Sequence, residues 1–278
     1  MNIIAESSST RTEWVIVDGS DIIEHAFTSG LNPYFQSRRE ISHSIRLELP
    51  EAFFRRRWNH VYLYCAGCST QEKKKVMESS LVAQFKTPVT VESDLLGAAR
   101  GLLVHKPGLA CILGTGSNSC LYNGSEITRT VAPLGFILGD EGSGAYLGKT
   151  LIADMLKGLA PVRLTEAFYE KFMVTPNVLM DDVYTSPMPS RTLSKYSTFL
   201  AEHLDDPYVY NMVYAAFMLF FNRNIAQYDY REQPLCFVGS TCTLFKPILL
   251  KAASDFGVEV AKVIRLSVIH ISEPTRPY

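Results

Sequence analysis

The sequence has almost no net charge, which argues against a nucleic-acid-binding protein. Its 27 lysines and arginines stand against 28 aspartates and glutamates, leaving a formal charge of −1 at pH 7. Proteins that bind a polyphosphate backbone usually carry a clear excess of basic residues. We therefore expect no nucleic-acid partner.

Long apolar runs are also missing. No stretch reaches the roughly 20 apolar residues that a membrane-spanning helix requires. The amino terminus, Met-Asn-Ile-Ile-Ala-Glu, lacks the basic start and the long apolar segment of a secretory signal. Together with 47% hydrophobic and 20% charged residues, this predicts a globular cytoplasmic protein without a membrane partner.

The cysteines are few and form no zinc or disulfide pattern. Most of the six lie within apolar stretches, and Cys65 and Cys68 form a single C-x-x-C pair. No second pair and no histidine stand at zinc spacing from it. We expect buried, reduced thiols, and a redox or metal-binding pair is the less favoured alternative.

What the sequence does contain is two glycine-rich turns near its centre. Residues 114–117 (Gly-Thr-Gly-Ser) follow an apolar run, 109–113, that predicts a buried strand. Residues 139–144 (Gly-Asp-Glu-Gly-Ser-Gly) precede a helical pattern over 145–157. Glycine allows a backbone to approach a ligand closely, and free N–H groups suit a phosphate. Two ordinary tight turns are the alternative interpretation.

A hydroxyl-rich turn lies near the amino terminus. Apolar runs at 2–6 and 13–17 flank residues 7–12 (Ser-Ser-Ser-Thr-Arg-Thr), a pattern that predicts a β-hairpin with hydroxyl and N–H groups at its tip. Farther along, Asn32 precedes a proline, and an amide in a rigid turn could bind a sugar. Both features are equally compatible with plain loop chemistry.

Asp94 is the carboxylate with the most informative position. It stands between a predicted strand at 89–91 and a predicted helix at 95–104, where α/β folds build their sites. The helix dipole should keep it ionised. The alternative is that Ser93 or Asp94 merely caps the helix.

Other elements follow from local pattern. We predict an amphipathic helix at 71–85 and a hairpin with a type I′ turn at Asn123-Gly124. Beyond residue 160 the pattern is mostly helical. A late strand at 235–238 ends in Gly-Ser-Thr and passes into a predicted helix at 244–256, which is another arrangement that can face a nucleotide.

The last residues do not resemble protein sequence. Residues 266–276 (Leu-Ser-Val-Ile-His-Ile-Ser-Glu-Pro-Thr-Arg) resemble the translation of a sequencing-library adapter. We therefore exclude 265–278 from fold reasoning and expect the natural carboxyl terminus to be missing.

Taken in chain order, these motifs resemble one family. Their order is the hydroxyl-rich hairpin, strand–Asp–helix, Gly-Thr-Gly-Ser, Gly-Asp-Glu-Gly-Ser and a late strand–Gly-Ser–helix. This order resembles that of the N-acetylglucosamine kinase branch of the BadF/BadG/BcrA/BcrD-type ATPases, within the actin-like sugar kinase superfamily. The resemblance runs from residue 2 to about 264. Residues 9–14 (Ser-Thr-Arg-Thr-Glu-Trp) and 30–33 (Gly-Leu-Asn-Pro) stand where bacterial members carry Ser-Thr-Lys-Thr-Asp-Trp and Gly-Ile-Asn-Pro.

The resemblance implies an α/β chain with a two-lobed ribonuclease-H-like (actin-like ATPase) fold and an interlobe cleft. The amino-terminal lobe would be 1–113 and the carboxyl-terminal lobe, with a helical insertion, 114–264. Residues 265–278 would be a non-native tail that replaces the final helix. The family also implies a homodimer.

The resemblance further implies ATP-dependent phosphorylation of the 6-hydroxyl of N-acetylglucosamine or a close amino sugar. Asp94 would be the general base, and Glu6 would hold Mg²⁺ through water. ATP would contact three segments: Ser8, Ser9, Thr10 and Arg11; Gly114, Thr115, Gly116 and Ser117; and Gly239, Ser240 and Thr241. Sugar hydroxyls would contact Asn32, Asn118 and Asp140.

The first loop departs from the family pattern, Asp-Ser-Gly-Ser-Thr-Lys. Glu6 replaces the aspartate, keeping its charge but displacing it by a methylene, which could lower the rate. Ser8 replaces the glycine and would either crowd the phosphate or be strained at a positive φ. Arg11 replaces the lysine and changes the geometry of the cation.

These departures keep other functions open. The chain could phosphorylate glucosamine or N-acetylmuramic acid, or it could be a non-catalytic sugar or nucleotide sensor of the same fold. The dehydratase-activator ATPases of the wider family carry an iron–sulfur cluster, and no cysteine arrangement here plainly supplies one.

Overall fold

A computed structural model describes residues 1–8, 10–19 and 21–265 of the chain. Two expectations therefore lie outside the described residues: the role of Ser9 in phosphate binding and the non-native character of the tail at 266–278.

The chain divides into two compact units. The first unit comprises Met1–Ala110 and Tyr122–Thr128, and the second comprises Cys111–Leu121 and Arg129–Arg265.

In its described residues the first unit contains a five-stranded sheet of order β3-β2-β1-β4-β5. Its strands are β1 Asn2–Ser7, β2 Arg11–Asp18, β3 Asp21–Ser29, β4 Val61–Cys65 and β5 Val89–Ser93. Its helices are α1 Arg38–Glu48, α2 Gln71–Phe85 and α3 Asp94–Leu103, with a 3-10 turn at Glu51–Phe54. Strands β1, β4 and β5 are parallel, and β2 is antiparallel to β1 and β3. This confirms the predicted hairpin and the predicted helix at 71–85.

One face of this sheet is apolar and packs against α1 and α2. Alternate residues of the strands, such as Ile3, Trp14 and Leu63, are fully buried in one cluster with Ile41 of α1 and Met77 of α2. This alternation follows from the two-residue period of a strand.

The opposite face carries a smaller cluster and the helix α3. Val15 and Tyr64 are buried there, and α3 approaches so closely that a Cβ on Gly97 would lie 3.0 Å from Tyr64. Strand register puts Cys65, at the end of β4, level with Ser7 of β1 and Ser93 of β5. Three strand ends therefore meet where α3 begins.

The second sheet has the order β10-β9-β6-β7-β8 in the described part of the chain. Its strands are β6 Gly108–Leu113, β7 Ser117–Tyr122, β8 Ile127–Thr130, β9 Leu235–Val238 and β10 Val260–Ile264. The helices are α4 Gly135–Leu138, α5 Gly144–Leu156, α6 Val162–Phe172, α7 Pro176–Tyr184, α8 Pro189–Ser197, α9 Pro207–Arg223, α10 Ser240–Leu244 and α11 Lys246–Phe256. Further 3-10 turns lie at Thr198–Glu202, Ile225–Gln227 and Tyr230–Glu232.

The turn between β7 and β8 is not the predicted type I′. That turn requires a positive φ at both central residues, but only Gly124 has one (φ +102°), and Asn123 does not. Instead, Oδ1 of Asn123 accepts hydrogen bonds from the N–H groups of Ser125 and Glu126, both at 2.9 Å. A side chain that bonds its own loop in this way competes with the standard turn.

The late strand leads into a helix sooner than predicted. Strand β9 matches the predicted range, but α10 starts at Ser240 and α11 follows after a break at Phe245. The predicted helix at 244–256 corresponds to α11 and starts two residues later than predicted, while the short helix α10 before it was not predicted.

The cysteines agree with the prediction. All six are free and buried. The Cys65 thiol donates to the carbonyl of Leu31 at 3.3 Å, and its contact with Cys68 together with burial raises its pKa. A thiol in that state reacts poorly, which favours the structural interpretation.

Separately, no helix among the described residues has the length and apolar content to cross a membrane.

Candidate functional site

The hydroxyl-rich turn of the first unit is anchored from beneath by Ser7. Its buried Oγ lies 2.7 Å from Oγ1 of Thr12 and accepts a hydrogen bond from the N–H of Leu31 at 2.9 Å. Sequence reasoning did not assign Ser7 a role. Its position at the end of β1, as the first residue of the hydroxyl-rich run, was the signal that could have identified it.

Ser8 closes the turn rather than straining it. Its φ is not positive, so the expected strain at this position is wrong. The N–H of Ser8 donates to the carbonyl of Arg11 at 3.0 Å, and its Oγ accepts from the N–H groups of Thr10 and Arg11, both at 3.3 Å. Two N–H groups that could face a phosphate are thus bonded within the loop. The guanidinium of Arg11 lies 4.4 Å above the ring of Phe27.

Glu6 is a buried carboxyl beside this turn. It is 9% exposed and pairs in register with Glu13 of β2 and Tyr64 of β4. Burial, followed by the charges of Asp94 and Glu13, raises the pKa of Glu6 to about 8 against the opposing charge of Arg11. At pH 7 the ligand-free carboxyl is therefore mostly protonated, which corrects the expectation that Glu6 simply keeps the charge of an aspartate.

Asp94 is not the helix cap. Oγ of Ser93 accepts from the N–H of Leu96 at 3.3 Å, whereas Oδ1 of Asp94 accepts from the N–H of Leu95 at 2.9 Å. No side chain among the described residues donates to the Asp94 carboxylate.

Asp94 is ionised at pH 7, as expected, but its pKa lies above the ordinary value of an aspartate. Burial raises the pKa of Asp94 to about 6, against the backbone hydrogen bonds that lower it. Desolvation therefore raises the pKa more than the helix amino terminus lowers it, although the Asp94 carboxyl is still mostly ionised at pH 7. A carboxylate whose pKa lies near the working pH is suited to accept a proton.

Asn32 is held by its own loop. It is 6% exposed, its Oδ1 accepts from the N–H of Tyr34 at 3.0 Å, and its N–H donates to Oε1 of Gln36 at 2.8 Å. Gly67 packs against the amide so closely that a Cβ there would lie 2.5 Å from Oδ1. In the described part of the chain the side-chain nitrogen of Asn32 is left to donate to a ligand.

In the second unit the two central glycine-rich turns meet. Oδ1 of Asp140 accepts the N–H of Ser117 at 3.1 Å, and a Cβ on Gly116 would lie 3.1 Å from the carboxylate. Asp140 holds a left-handed backbone at φ +58°. Burial raises its pKa, the Ser117 hydrogen bond lowers it, and the charge of Glu141 raises it.

The late Gly-Ser-Thr turn joins the same cluster. Oγ1 of Thr241 donates to the carbonyl of Gly114 at 2.8 Å, and the N–H of Gly144 donates to that carbonyl at the same distance. Gly239, at φ +131°, lies so near Leu113 that a Cβ would stand 2.3 Å from its carbonyl oxygen. Three segments that are far apart in the chain thus converge in this unit.

Sequence reasoning missed the contacts that support this cluster. Buried Glu141 accepts from Arg223 of α9 at 2.8 Å. The hydroxyl of Tyr228 receives the N–H of Val131 at 2.9 Å and bonds Ser119, whose N–H is also bound by Oδ1 of the predicted sugar ligand Asn118. Apart from the neighbours Asn118 and Ser119, these partners are more than 80 residues apart in the chain, and no local pattern connects them.

The residues fit a metal that arrives with a nucleotide better than a resident metal. Within the described ranges, no group of three or more histidine, cysteine, aspartate or glutamate side chains could hold an ion. The charge of Asp94 contributes to the raised pKa of Glu6, so the two carboxyl groups lie close enough to interact. Such a pair suits a hydrated Mg²⁺ whose direct ligands are mainly phosphate oxygens.

Comparison with known proteins gives matches among solved structures. No protein-family model matches the chain, and no curated protein does. A crystal structure of the putative N-acetylglucosamine kinase from Porphyromonas gingivalis is 38% identical, with a TM-score of 0.93 over 99% of this chain and 98% of that one.

Two further crystal structures show the fold alone. The putative N-acetylglucosamine kinase from Chromobacterium violaceum is 17% identical, with a TM-score of 0.78 over 99% of this chain and 98% of that one. A ROK family glucokinase from Streptomyces griseus, in complex with glucose and AMPPNP, is 14% identical, with a TM-score of 0.59 and 98% of each chain covered. The two five-stranded sheets and these matches confirm the predicted α/β, actin-like fold class.

Proposed function

The chain belongs to the sugar kinase family of its Porphyromonas gingivalis relative, and we propose that it transfers the γ-phosphate of ATP to the 6-hydroxyl of N-acetylglucosamine. We place it in the BadF/BadG-type branch of the actin-like kinases. The observation that carries the proposal is the environment of Asp94: a carboxylate at the meeting point of three strand ends, with a pKa of about 6 and no side-chain donor among the described residues.

Asp94 would act as the general base. Its carboxylate accepts the proton as the O6–H bond breaks, O6 bonds to the γ-phosphorus, and the bond from that phosphorus to the bridging oxygen breaks to release ADP. Catalysis of this kind is mostly positioning and charge stabilisation. Mg²⁺, when bound, would supply charge neutralisation on the phosphates, and Glu6 would hold its water shell.

The phosphates would be bound by the backbone of the first turn and by residues 114–117. In the first turn the N–H groups of Thr10 and Arg11 would leave Ser8 Oγ and bind phosphate oxygens instead. Because Thr241 already donates to Gly114, its role would be to hold the loop, while Gly239 and Ser240 face the adenosine. We assign the sugar hydroxyls to Asn32 in the first unit and to Asn118 and Asp140 in the second.

A second candidate is a sensor that binds sugar or nucleotide without turnover. It is favoured by the protonated state of Glu6 and by the hydrogen bonds that Ser8 makes to the loop N–H groups. Both features oppose the binding of the charged nucleotide and its metal that phosphoryl transfer requires, so they favour a chain that binds sugar without turnover.

The test is ADP release from Mg·ATP with and without N-acetylglucosamine, for the wild type and for Asp94→Asn. Sugar-dependent turnover that falls by at least a thousandfold in the variant would support the kinase. Ser93→Ala is the matched control, because it removes the helix cap and leaves the base.

A sugar panel with glucosamine and N-acetylmuramic acid separates the substrates. If no sugar supports turnover but calorimetry detects sugar binding, the sensor is the better interpretation.

A further inference from the structure

The first unit contains a cavity of about 430 Å³ on the sheet face that carries Tyr64. It is formed by β4, β5, α3 and the hairpin loop after β7. Its lining residues are Tyr62, Leu63, Tyr64, Thr90, Glu92, Arg100, His105, Tyr122, Gly124 and Ser125. None of the residues proposed to bind ATP or sugar is among them.

The cavity carries one positive charge that no carboxylate neutralises. The half-buried guanidinium of Arg100 donates to the hydroxyl of Tyr64 at 2.8 Å, and it forms no ion pair with a carboxylate among the described residues. The carboxylate in the lining, Glu92, is already paired with Lys74 at 2.5 Å. Removing a cation from water without a counter-ion is unfavourable, so this position favours an anionic ligand.

The rest of the lining suits a ring. Tyr62 supplies aromatic surface, which packs well against a ring, whereas Tyr64 and Tyr122 are buried in the wall, where their hydroxyls bond Arg100 and the carbonyl of Val104. The volume falls within the range of small-molecule sites. At the rim of the cavity, the loop after β7 packs against the segment that follows α3. A Cβ on Gly124 of that loop would lie 2.4 Å from the carbonyl oxygen of His105.

We propose that this cavity binds a small ring compound carrying a phosphate group, of the size of a phosphorylated monosaccharide, with Arg100 as the phosphate ligand. The planar guanidinium can donate two parallel hydrogen bonds to phosphate oxygens. Asp94 does not line this cavity, although Asp94 and Arg100 both belong to α3. The assignment does not depend on the chain being a kinase.

The test is calorimetric titration of the ligand-free protein with four probes: N-acetylglucosamine 6-phosphate, glucose 6-phosphate, N-acetylglucosamine and inorganic phosphate. Both sugar phosphates should bind. Arg100→Gln should weaken that binding by tenfold or more, which is the loss of one charge-assisted contact. The affinity of Arg100→Lys for the sugar phosphates should lie between those of the wild type and Arg100→Gln. Lysine keeps the positive charge but cannot donate two parallel hydrogen bonds. Lys106→Gln, which removes a nearby exposed cation outside the lining, should bind like the wild type.

Inorganic phosphate should bind more weakly than the sugar phosphates because it lacks the ring. Equal binding of the wild type and Arg100→Gln, or no binding of either sugar phosphate, would overturn the assignment. Thermal unfolding of each variant establishes that the protein compared is folded.

Asp140→Asn separates this cavity from the proposed sugar site. Sugar-phosphate binding that survives in Asp140→Asn and weakens in Arg100→Gln supports the cavity. The reverse pattern overturns it and leaves the proposed kinase intact. If turnover fails in every sugar assay while Arg100-dependent binding remains, the proposed kinase is wrong and the cavity assignment stands.

Discussion

Oδ1 of Asp140 accepts the backbone N–H of Ser117 at 3.1 Å, although 23 residues separate the two in the chain. This hydrogen bond joins the Gly-Thr-Gly-Ser turn to the Gly-Asp-Glu-Gly-Ser turn. A residue proposed to bind sugar thereby also positions a loop proposed to bind phosphate.

Replacing Asp140 by alanine should therefore lower stability as well as sugar affinity. Alanine removes the acceptor for Ser117 and is disfavoured at φ +58°, so we expect a loss of about 2 kcal/mol in the free energy of unfolding. Asp140→Asn keeps an oxygen acceptor and tolerates this backbone, so it should lose sugar affinity and less than about 1 kcal/mol of stability. Urea denaturation and calorimetry measure both quantities. Equal destabilisation by the two variants would contradict the prediction.

The pH dependence of turnover should report Asp94. The base must be ionised, so kcat/KM should rise with pH through the Asp94 pKa of about 6 and level off above it. Ser93→Ala should lose roughly 1 kcal/mol of stability with its cap while keeping an acid limb near the same pH. An acid limb that stays near pH 4 in the wild type would show that Asp94 is not the group that titrates.

Glu6 should make the ligand-free protein less stable as pH rises. Its folded-state pKa of about 8 lies above the ordinary value of 4.5, so the folded chain retains a proton that the unfolded chain releases, and stability falls as pH rises from 4.5 through about 8. At about 1.4 kcal/mol for each pH unit, the upper limit is roughly 5 kcal/mol.

Glu6→Gln should remove this dependence and be more stable than the wild type at pH 9. Asp94 contributes in the same direction between 3.8 and about 6, so the comparison belongs above pH 6. Denaturation curves for the two proteins at pH 6.5 and pH 9 provide the measurement. Parallel losses of stability in both would rule out Glu6 as the source.

Gly239 should tolerate no side chain. A Cβ there would lie 2.3 Å from the backbone oxygen of Leu113, and its φ of +131° is unfavourable for other residues. We expect Gly239→Ala to cost at least about 3 kcal/mol. Gly257→Ala is the matched control, because it also has a positive φ, +87°, but its Cβ would meet no atom within 4 Å. It should cost about 1 kcal/mol, and similar costs for the two variants would refute a role for the clash.

Predictions from local pattern agreed with the structure where local forces decide. The helix at 71–85 begins after Thr70, whose side chain accepts from the N–H of Lys73, and such a cap is readable from sequence. The strand at 235–238 is fully buried, as a short apolar run between turns indicates. By contrast, the Asn123 turn was mispredicted because its side chain forms three hydrogen bonds that compete with the expected geometry.

By itself, the sequence determined the order of the motifs and the carboxylate at the start of α3, because periodicity, caps and glycine turns act over a few residues. The fold class came from the resemblance of those motifs to a known family. Only the tertiary structure decided that burial raises the pKa of Glu6 to about 8 and that of Asp94 to about 6, and that Arg100 lies in a cavity without a carboxylate partner among the described residues. The physical reason is that desolvation and charge pairing depend on which distant segments pack together. No local pattern specifies those neighbours.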